Sequence, residues 1–175
     1  MRTRNAVLKI IIGGDGGVGK TTYLYKLCQG KFLTDTKMTV GVGFLTKNVK
    51  YGDTNYNLAL WDFGGQDQFR FILTTYVKGA HAGLVFFSLD RATSFMSIDE
   101  WVELLRSEKP DLPLYLVGTK ADLEDEDLQI SGKEILEKMN EHDMIGYTRT
   151  SSKTGNRIDE PINKLVMYYH DTFMS

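Results

Sequence analysis

Apolar residues in this chain fall into two kinds of run that alternate from end to end: short continuous ones and ones spaced three or four residues apart. Ala6–Ile12 is a short apolar run closed by glycines and predicts a buried strand. Lys20–Gln29 follows, with Leu24, Leu27 and Cys28 on one helical face. Phe44–Tyr51 and Tyr56–Asp62 flank a Gly52-Asp53-Thr54-Asn55 turn and predict a hairpin. Phe69–Lys78 reads as a helix. His81–Asp90 contains Leu84-Val85-Phe86-Phe87, too apolar for a strand with one wet face, so it is placed centrally. Phe95, Ile98, Trp101, Val102 and Leu105 have helical spacing, and Pro110 and Pro113 stop that helix before a further buried strand at Leu114–Thr119. Ser131–Glu141 is a helix and Ile145–Thr150 a last strand. Ile158, Ile162, Leu165, Val166 and Tyr169 mark a C-terminal amphipathic helix. The expected fold is therefore α/β in three layers: a six-stranded, mostly parallel sheet with one antiparallel edge strand, covered by helices on both faces. No repeat, linker or low-complexity tract interrupts it, so residues 1–175 are expected to form one domain.

Composition narrows the function classes. At 175 residues, 42% hydrophobic and 25% charged, the chain is ordinary for a globular protein. Its 21 Lys and Arg against 23 Asp and Glu leave a charge of −2, which argues against bulk electrostatic binding to nucleic acid or anionic lipid. No apolar run approaches the roughly 20 residues of a membrane span. Cys28 is the only cysteine, which excludes a disulfide framework and fits a reducing, cytoplasmic compartment. Arg2 stands where N-myristoylation needs glycine, and no C-terminal cysteine offers a prenylation site, so no lipid-anchor motif is expected. The unusual feature is 17 glycines beside only three prolines, which calls for backbone that something must approach closely.

Gly14-Asp15-Gly16-Gly17-Val18-Gly19-Lys20-Thr21 locates much of that excess. It matches G-x-x-x-x-G-K-[ST] between a predicted strand and helix, the context in which backbone N–H groups and a helix N-terminus cradle phosphates. Expected nucleotide contacts run from Asp15 through Gly16, Gly17, Val18, Gly19, Lys20 and Thr21 to Thr22. Lys20 is expected to neutralise the β- and γ-phosphates and the Thr21 hydroxyl to ligate Mg²⁺. Gly118-Thr119-Lys120-Ala121-Asp122 follows a buried strand, and the Asp122 carboxylate can accept from N1–H and the N2 amino group of guanine. Adenine offers no such pair of donors. The Lys120 stem can lie along the purine. Backbone N–H groups of Ser151, Ser152 and Lys153 can meet guanine O6, and Phe32 can pack on the base.

In order and spacing these motifs resemble the Ras superfamily of small GTPases over essentially the whole chain. Val40-Gly41-Val42-Gly43-Phe44, Trp61-Asp62-Phe63-Gly64-Gly65-Gln66-Asp67-Gln68-Phe69-Arg70 and Tyr76-Val77-Lys78-Gly79-Ala80 are most similar to the Rab branch. The resemblance implies a P-loop small G-protein fold and a GTP/GDP switch that hydrolyses GTP slowly with Mg²⁺ as cofactor. Thr39 would ligate Mg²⁺ and touch the γ-phosphate. Asp62 would hold the ion through water, the Gly65 N–H would report the γ-phosphate, and Gln66 would orient the attacking water. It also implies a GTPase-activating protein, an exchange factor and effectors acting through Thr39–Phe44, Trp61–Arg70 and Tyr76, with Phe44, Trp61 and Tyr76 as an aromatic triad. The protein is expected to be a cytoplasmic monomer, with peripheral membrane association not supported by any lipidation motif.

The chain departs from the family pattern at several points. Thr119 stands where most members have Asn, Phe63-Gly64 replaces Thr-Ala, Met38 and Thr36 are unusual beside Thr39, and no arginine sits where a finger in cis is expected. Arg70 is read as an ordinary switch residue, so acceleration by a partner's arginine is expected, worth about 10³–10⁵. Two other readings stay open: a GTP-binding scaffold with little or no hydrolysis, and a small-molecule kinase, which would need an arginine-rich lid. The acidic stretch from Asp122 to Asp127 lacks the glycine and terminal glutamate of a calcium loop and reads as a solvated loop.

Overall fold

The computed structural model describes residues 2–34, 42–64 and 70–175. The sheet is built from β1 (Arg4–Gly13), β2 (Val42–Tyr51), β3 (Thr54–Phe63), β4 (Ala82–Ser88), β5 (Leu114–Thr119) and β6 (Tyr147–Arg149), in the order β2-β3-β1-β4-β5-β6. Every pairing is parallel except β2 with β3. The expected six strands and antiparallel edge are therefore present.

Alternation along β1 and β3 explains the layers. Leu8, Ile10 and Ile12 of β1 and Tyr56, Leu58 and Leu60 of β3 face one way. There they meet Tyr23, Leu24 and Leu27 of α1 (Lys20–Gln29) and Ile162, Leu165 and Val166 of α6 (Glu160–Tyr169). Ile11 and Phe63 face the other way, with Val85 and Phe87 of β4. They pack on α2 (Arg70–Tyr76), α4 (Ile98–Leu105) and α5 (Gly132–Glu141) through Leu73, Trp101 and Ile135. β4 and β5 are buried at every position, as strands covered on both faces must be.

The helix expected around Phe95–Leu105 is divided into α3 (Ala92–Met96) and α4, with Ser97 between them at ψ −8°. The Ser97 hydroxyl donates to the Thr93 carbonyl at 3.1 Å, and such back-bonding by a short hydroxyl side chain loosens a helix locally. α5 starts as the sequence suggests. Glu134 N–H donates to Ser131 Oγ and Ser131 N–H to the Glu134 carboxylate, a reciprocal cap. Beyond α6 the chain widens into a π-helical turn, His170–Met174, which the apolar spacing does not foreshadow.

The consequence for function lies at one edge of the layers. β1, β4, β5 and β6 all point their C-terminal ends the same way, and the chain leaves β1 and β4 at the centre of the sheet. In an open parallel sheet that is where ligands bind.

Candidate functional site

At those strand ends lies an open cleft of about 410 Å³. Gly17, Val18, Gly19 and Thr22 line it from the loop after β1. Phe32, Leu33 and Thr34 line it beyond α1, Thr119, Lys120, Asp122 and Leu123 after β5, and Ser152 and Lys153 after β6. Segments more than a hundred residues apart in sequence thus share one cavity.

The loop is tight because it has no side chains to accommodate. A Cβ on Gly14 would lie 2.6 Å from the Phe86 carbonyl oxygen, so only glycine lets the chain leave β1 this close to β4. Gly19 caps α1 at φ 92°, in the left-handed region. Lys20 begins that helix and is only 5% exposed. Its ammonium donates to the carbonyls of Gly14 at 2.6 Å and Asp15 at 3.0 Å. Burial lowers its pKa from 10.5 to about 8, with Arg91 and Arg70 acting in the same sense and the carboxylates of Asp62 and Asp15 opposing.

One residue on, the Thr21 hydroxyl donates to Asp62 Oδ2 at 2.5 Å. Asp62 is buried at the end of β3, beside Ile12 of β1 in register. A hydroxyl and a carboxylate oxygen side by side form a hard-oxygen pair of the kind Mg²⁺ prefers, so these residues fit that ion. Thr39, Gly65 and Gln66, assigned above to the ion, the γ-phosphate and the attacking water, lie outside the described residues. So do residues 40–41 and 67–69 of the two expected switch segments.

Asp15 is arranged differently from its neighbours. Its carboxylate accepts from the Trp101 indole N–H at 2.9 Å and pairs with Arg70 at 3.4 Å, so this side chain is engaged by α4 and α2. Arg70 also donates to Glu100 at 2.6 Å and lies 4.9 Å from the Trp101 ring centroid. Arg91, just past β4, donates to the Gly16 carbonyl at 2.8 Å. Sequence reasoning placed Trp101 in the core and left Arg91 unassigned. The signals were a buried indole N–H that must find an acceptor, and a cation at the C-terminal end of a central strand.

On the other side of the cleft the Thr119 hydroxyl donates to the Val18 carbonyl at 2.6 Å and lies 3.2 Å from that of Phe87. The residue that departs from the family pattern therefore ties the end of β5 to the glycine loop. Lys120 follows at φ 64° and pairs with Asp90 at 3.5 Å. Ser151, buried after β6, donates its hydroxyl to Asp122 Oδ1 at 2.8 Å and accepts the Thr154 N–H. Backbone contacts alone were expected from this segment; its side chain orients the carboxylate instead. Replacing Thr119 by Val keeps the shape and leaves the Val18 carbonyl without this donor. A loss of about 1–3 kcal/mol in unfolding free energy is expected, measurable by urea denaturation of the two proteins.

Phe44, Trp61 and Tyr76 lie together outside the cleft, with ring centroids 5.1 Å apart for Phe44 and Trp61 and 5.7 Å for Trp61 and Tyr76. Phe44 is 54% exposed. No helix among the described residues is long and apolar enough to cross a membrane.

Comparison with known proteins agrees with this geometry. Residues 9–170 match the model of the Ras family. The chain is similar to Ypt/Rab-type GTPase Rab7 of Gibberella zeae, 31% identical over 162 residues that cover 90% of this chain and 79% of that protein. It is 33% identical to Ras-related protein Rab-27B of Bos taurus over 176 residues, 91% of this chain and 78% of the other. It is also 33% identical to a Ras and EF-hand domain-containing protein homolog of Mus musculus over 165 residues, 91% of this chain but 26% of that longer protein.

Proposed function

Because the chain belongs to the Ras family and is a Rab-like GTP-binding switch GTPase, we propose that the cleft after β1, β5 and β6 is its guanine-nucleotide site and that residues 1–175 act as one G domain. The observation that carries this reading is the spacing of functions along one cavity. A glycine loop with a buried lysine lies at one end, and a serine-oriented carboxylate, Asp122, at the other.

The loop N–H groups from Gly16 to Thr21 bind the phosphate chain, with Thr22 beside them. Asp15 serves through its backbone, its carboxylate being held by Trp101 and Arg70. An arriving phosphate replaces the Gly14 and Asp15 carbonyls as the partner of Lys20, exchanging a weak acceptor for an anion. Asp122 reads the guanine edge, Lys120 and Phe32 flank the ring, and Ser152 and Lys153 close over O6. Thr21, Thr39 and Asp62 would hold Mg²⁺, which would supply positive charge against the phosphates. Gln66 orients the attacking water and Gly65 N–H holds the γ-phosphate. Since phosphoryl transfer asks for positioning and charge rather than covalent help, hydrolysis is slow until a partner adds an arginine.

The two segments 39–44 and 61–70, with Tyr76, present the nucleotide state to a GTPase-activating protein, an exchange factor and effectors, and the Phe44–Trp61–Tyr76 cluster supplies an apolar contact for the last of these. The protein acts as a monomer in the cytoplasm, in trafficking or signalling.

A single-turnover assay tests the proposal. GTP-loaded protein incubated with Mg²⁺ is expected to convert its nucleotide to GDP at a rate on the order of 10⁻⁴–10⁻³ s⁻¹. Retention of intact GTP over days would identify a scaffold, and tight ATP binding with weak GTP binding would remove the switch reading altogether.

A further inference from the structure

The end of β4 reaches the glycine loop through one cation. Arg91 donates from Nη2 to the Gly16 carbonyl at 2.8 Å, and Nη1 would lie 3.3 Å from a Cβ built on Gly17, so the guanidinium runs along the Gly16–Gly17 peptide. The arm that carries it is fixed. Arg91 N–H donates to the Ser88 carbonyl, and the Arg91 carbonyl accepts from both the N–H and the hydroxyl of Ser94. Arg91 itself is not among the residues lining the cleft, whereas Gly17 is.

The peptide needs such a restraint. It joins two glycines, one of them at φ 78°, so no side chain opposes rotation of its plane. It is trans, and in a trans peptide the carbonyl and the following N–H point in opposite directions. With the Gly16 carbonyl held toward Arg91, which does not line the cleft, the Gly17 N–H is directed away from Arg91. A flipped peptide would instead present a carbonyl oxygen to an incoming anion.

We propose that Arg91 is a positioning residue that locks the Gly16–Gly17 peptide with the Gly17 N–H turned into the cleft, so that the phosphate chain meets a donor already oriented. The inference rests on the nucleotide reading given above and adds to it a cation that acts through the loop rather than on the ligand. A charge-assisted hydrogen bond to the carbonyl makes the flipped state unfavourable, and the binding-competent loop is populated before nucleotide arrives.

The test uses fluorescent GDP released from the Mg²⁺-loaded protein, together with the amide resonance of Gly17 in the GDP complex. Arg91→Ala is expected to release GDP about tenfold faster or more. Its Gly17 amide proton should move upfield, toward the position of an amide without a strong acceptor. Arg91→Lys, which keeps the charge but not the fork, should recover part of both changes, and millimolar guanidinium should slow release from Arg91→Ala. Release within twofold of the parent protein would overturn the proposal. So would faster release with the Gly17 resonance unmoved, which is what a merely structural side chain would produce. If Arg91→Ala does not fold, Arg91→Lys and Arg91→Gln are compared by the same two readouts, with Arg91→Gln expected to show the larger changes. A parent protein that fails to bind GDP at all would instead remove the nucleotide reading, a distinct result.

Discussion

Replacing Asp122 by Asn is expected to lower affinity for GDP and GTP by about 10²–10⁴ and to create affinity for the xanthine nucleotides. The Asp122 carboxylate lines the cleft, with one oxygen receiving the Ser151 hydroxyl at 2.8 Å. It offers acceptors only, and guanine answers with two donors, N1–H and the N2 amino group. An Asn side chain keeps one acceptor and turns the other into a donor, which faces the N2 amino group of guanine donor to donor. Xanthine carries an oxygen at that position and accepts. Two charge-assisted hydrogen bonds at roughly 1.5–3 kcal/mol each set the size of the loss. The measurement is competition of GDP and xanthosine diphosphate against a fluorescent nucleotide, for both proteins. An unchanged guanine preference would place base recognition elsewhere. Fold damage is separable, because the variant should bind xanthosine diphosphate with the affinity it has lost for GDP.

The layers and the sheet's mixed character were legible because β4 and β5 are buried at consecutive positions, while β3 alternates buried residues with exposed or half-buried ones until its last two. Periodicity reports burial, and burial decides which strands are central. The division at Ser97 was not legible, because Phe95, Ile98 and Trp101 keep helical spacing across it, and a hydroxyl back-bond leaves that spacing intact. In the site, the gathering of the glycine loop, Lys20, Thr21 and Asp122 at one set of strand ends was legible, because each sits in a motif at a strand-to-helix or strand-to-loop junction. What escaped were side chains that act on those residues from other elements. Ser151 orients Asp122, Trp101 and Arg70 hold Asp15, and Arg91 holds Gly16. Trp101 and Asp15 are 86 positions apart and Arg91 and Gly16 are 75, separations at which no local pattern carries information. Thr119 lies between the two cases. The sequence marked it as a departure, and its hydroxyl still makes the tie to Val18 across the cleft.

Lys20→Met is expected to weaken GDP and GTP binding by about 10²–10⁴ and, in the same protein, to abolish a pH dependence of stability. In the ligand-free fold, burial lowers the Lys20 pKa from 10.5 to about 8. The unfolded chain therefore binds more protons than the folded one between pH 8 and 10.5, and stability contributed by this group rises with pH across that window. Below pH 8 the buried charge costs the nucleotide-free fold about 3 kcal/mol relative to high pH. Bound phosphates reverse the balance, since an anion beside the ammonium favours its charged form. Nucleotide binding above pH 8 should then take up part of a proton, and affinity should fall as pH rises further. Two measurements on nucleotide-stripped protein check this. Urea unfolding from pH 7 to 10.5 should show the parent gaining stability relative to Lys20→Met, a difference that cancels other groups titrating in that range. Calorimetry of GDP binding at pH 8.5, in buffers of different ionisation enthalpy, should show proton uptake by the parent and none by the variant. Parallel stability profiles would mean that the ammonium is not strained by its burial. The free energy released when phosphate arrives would then owe nothing to a lysine held charged, at a cost, against the carbonyls of Gly14 and Asp15.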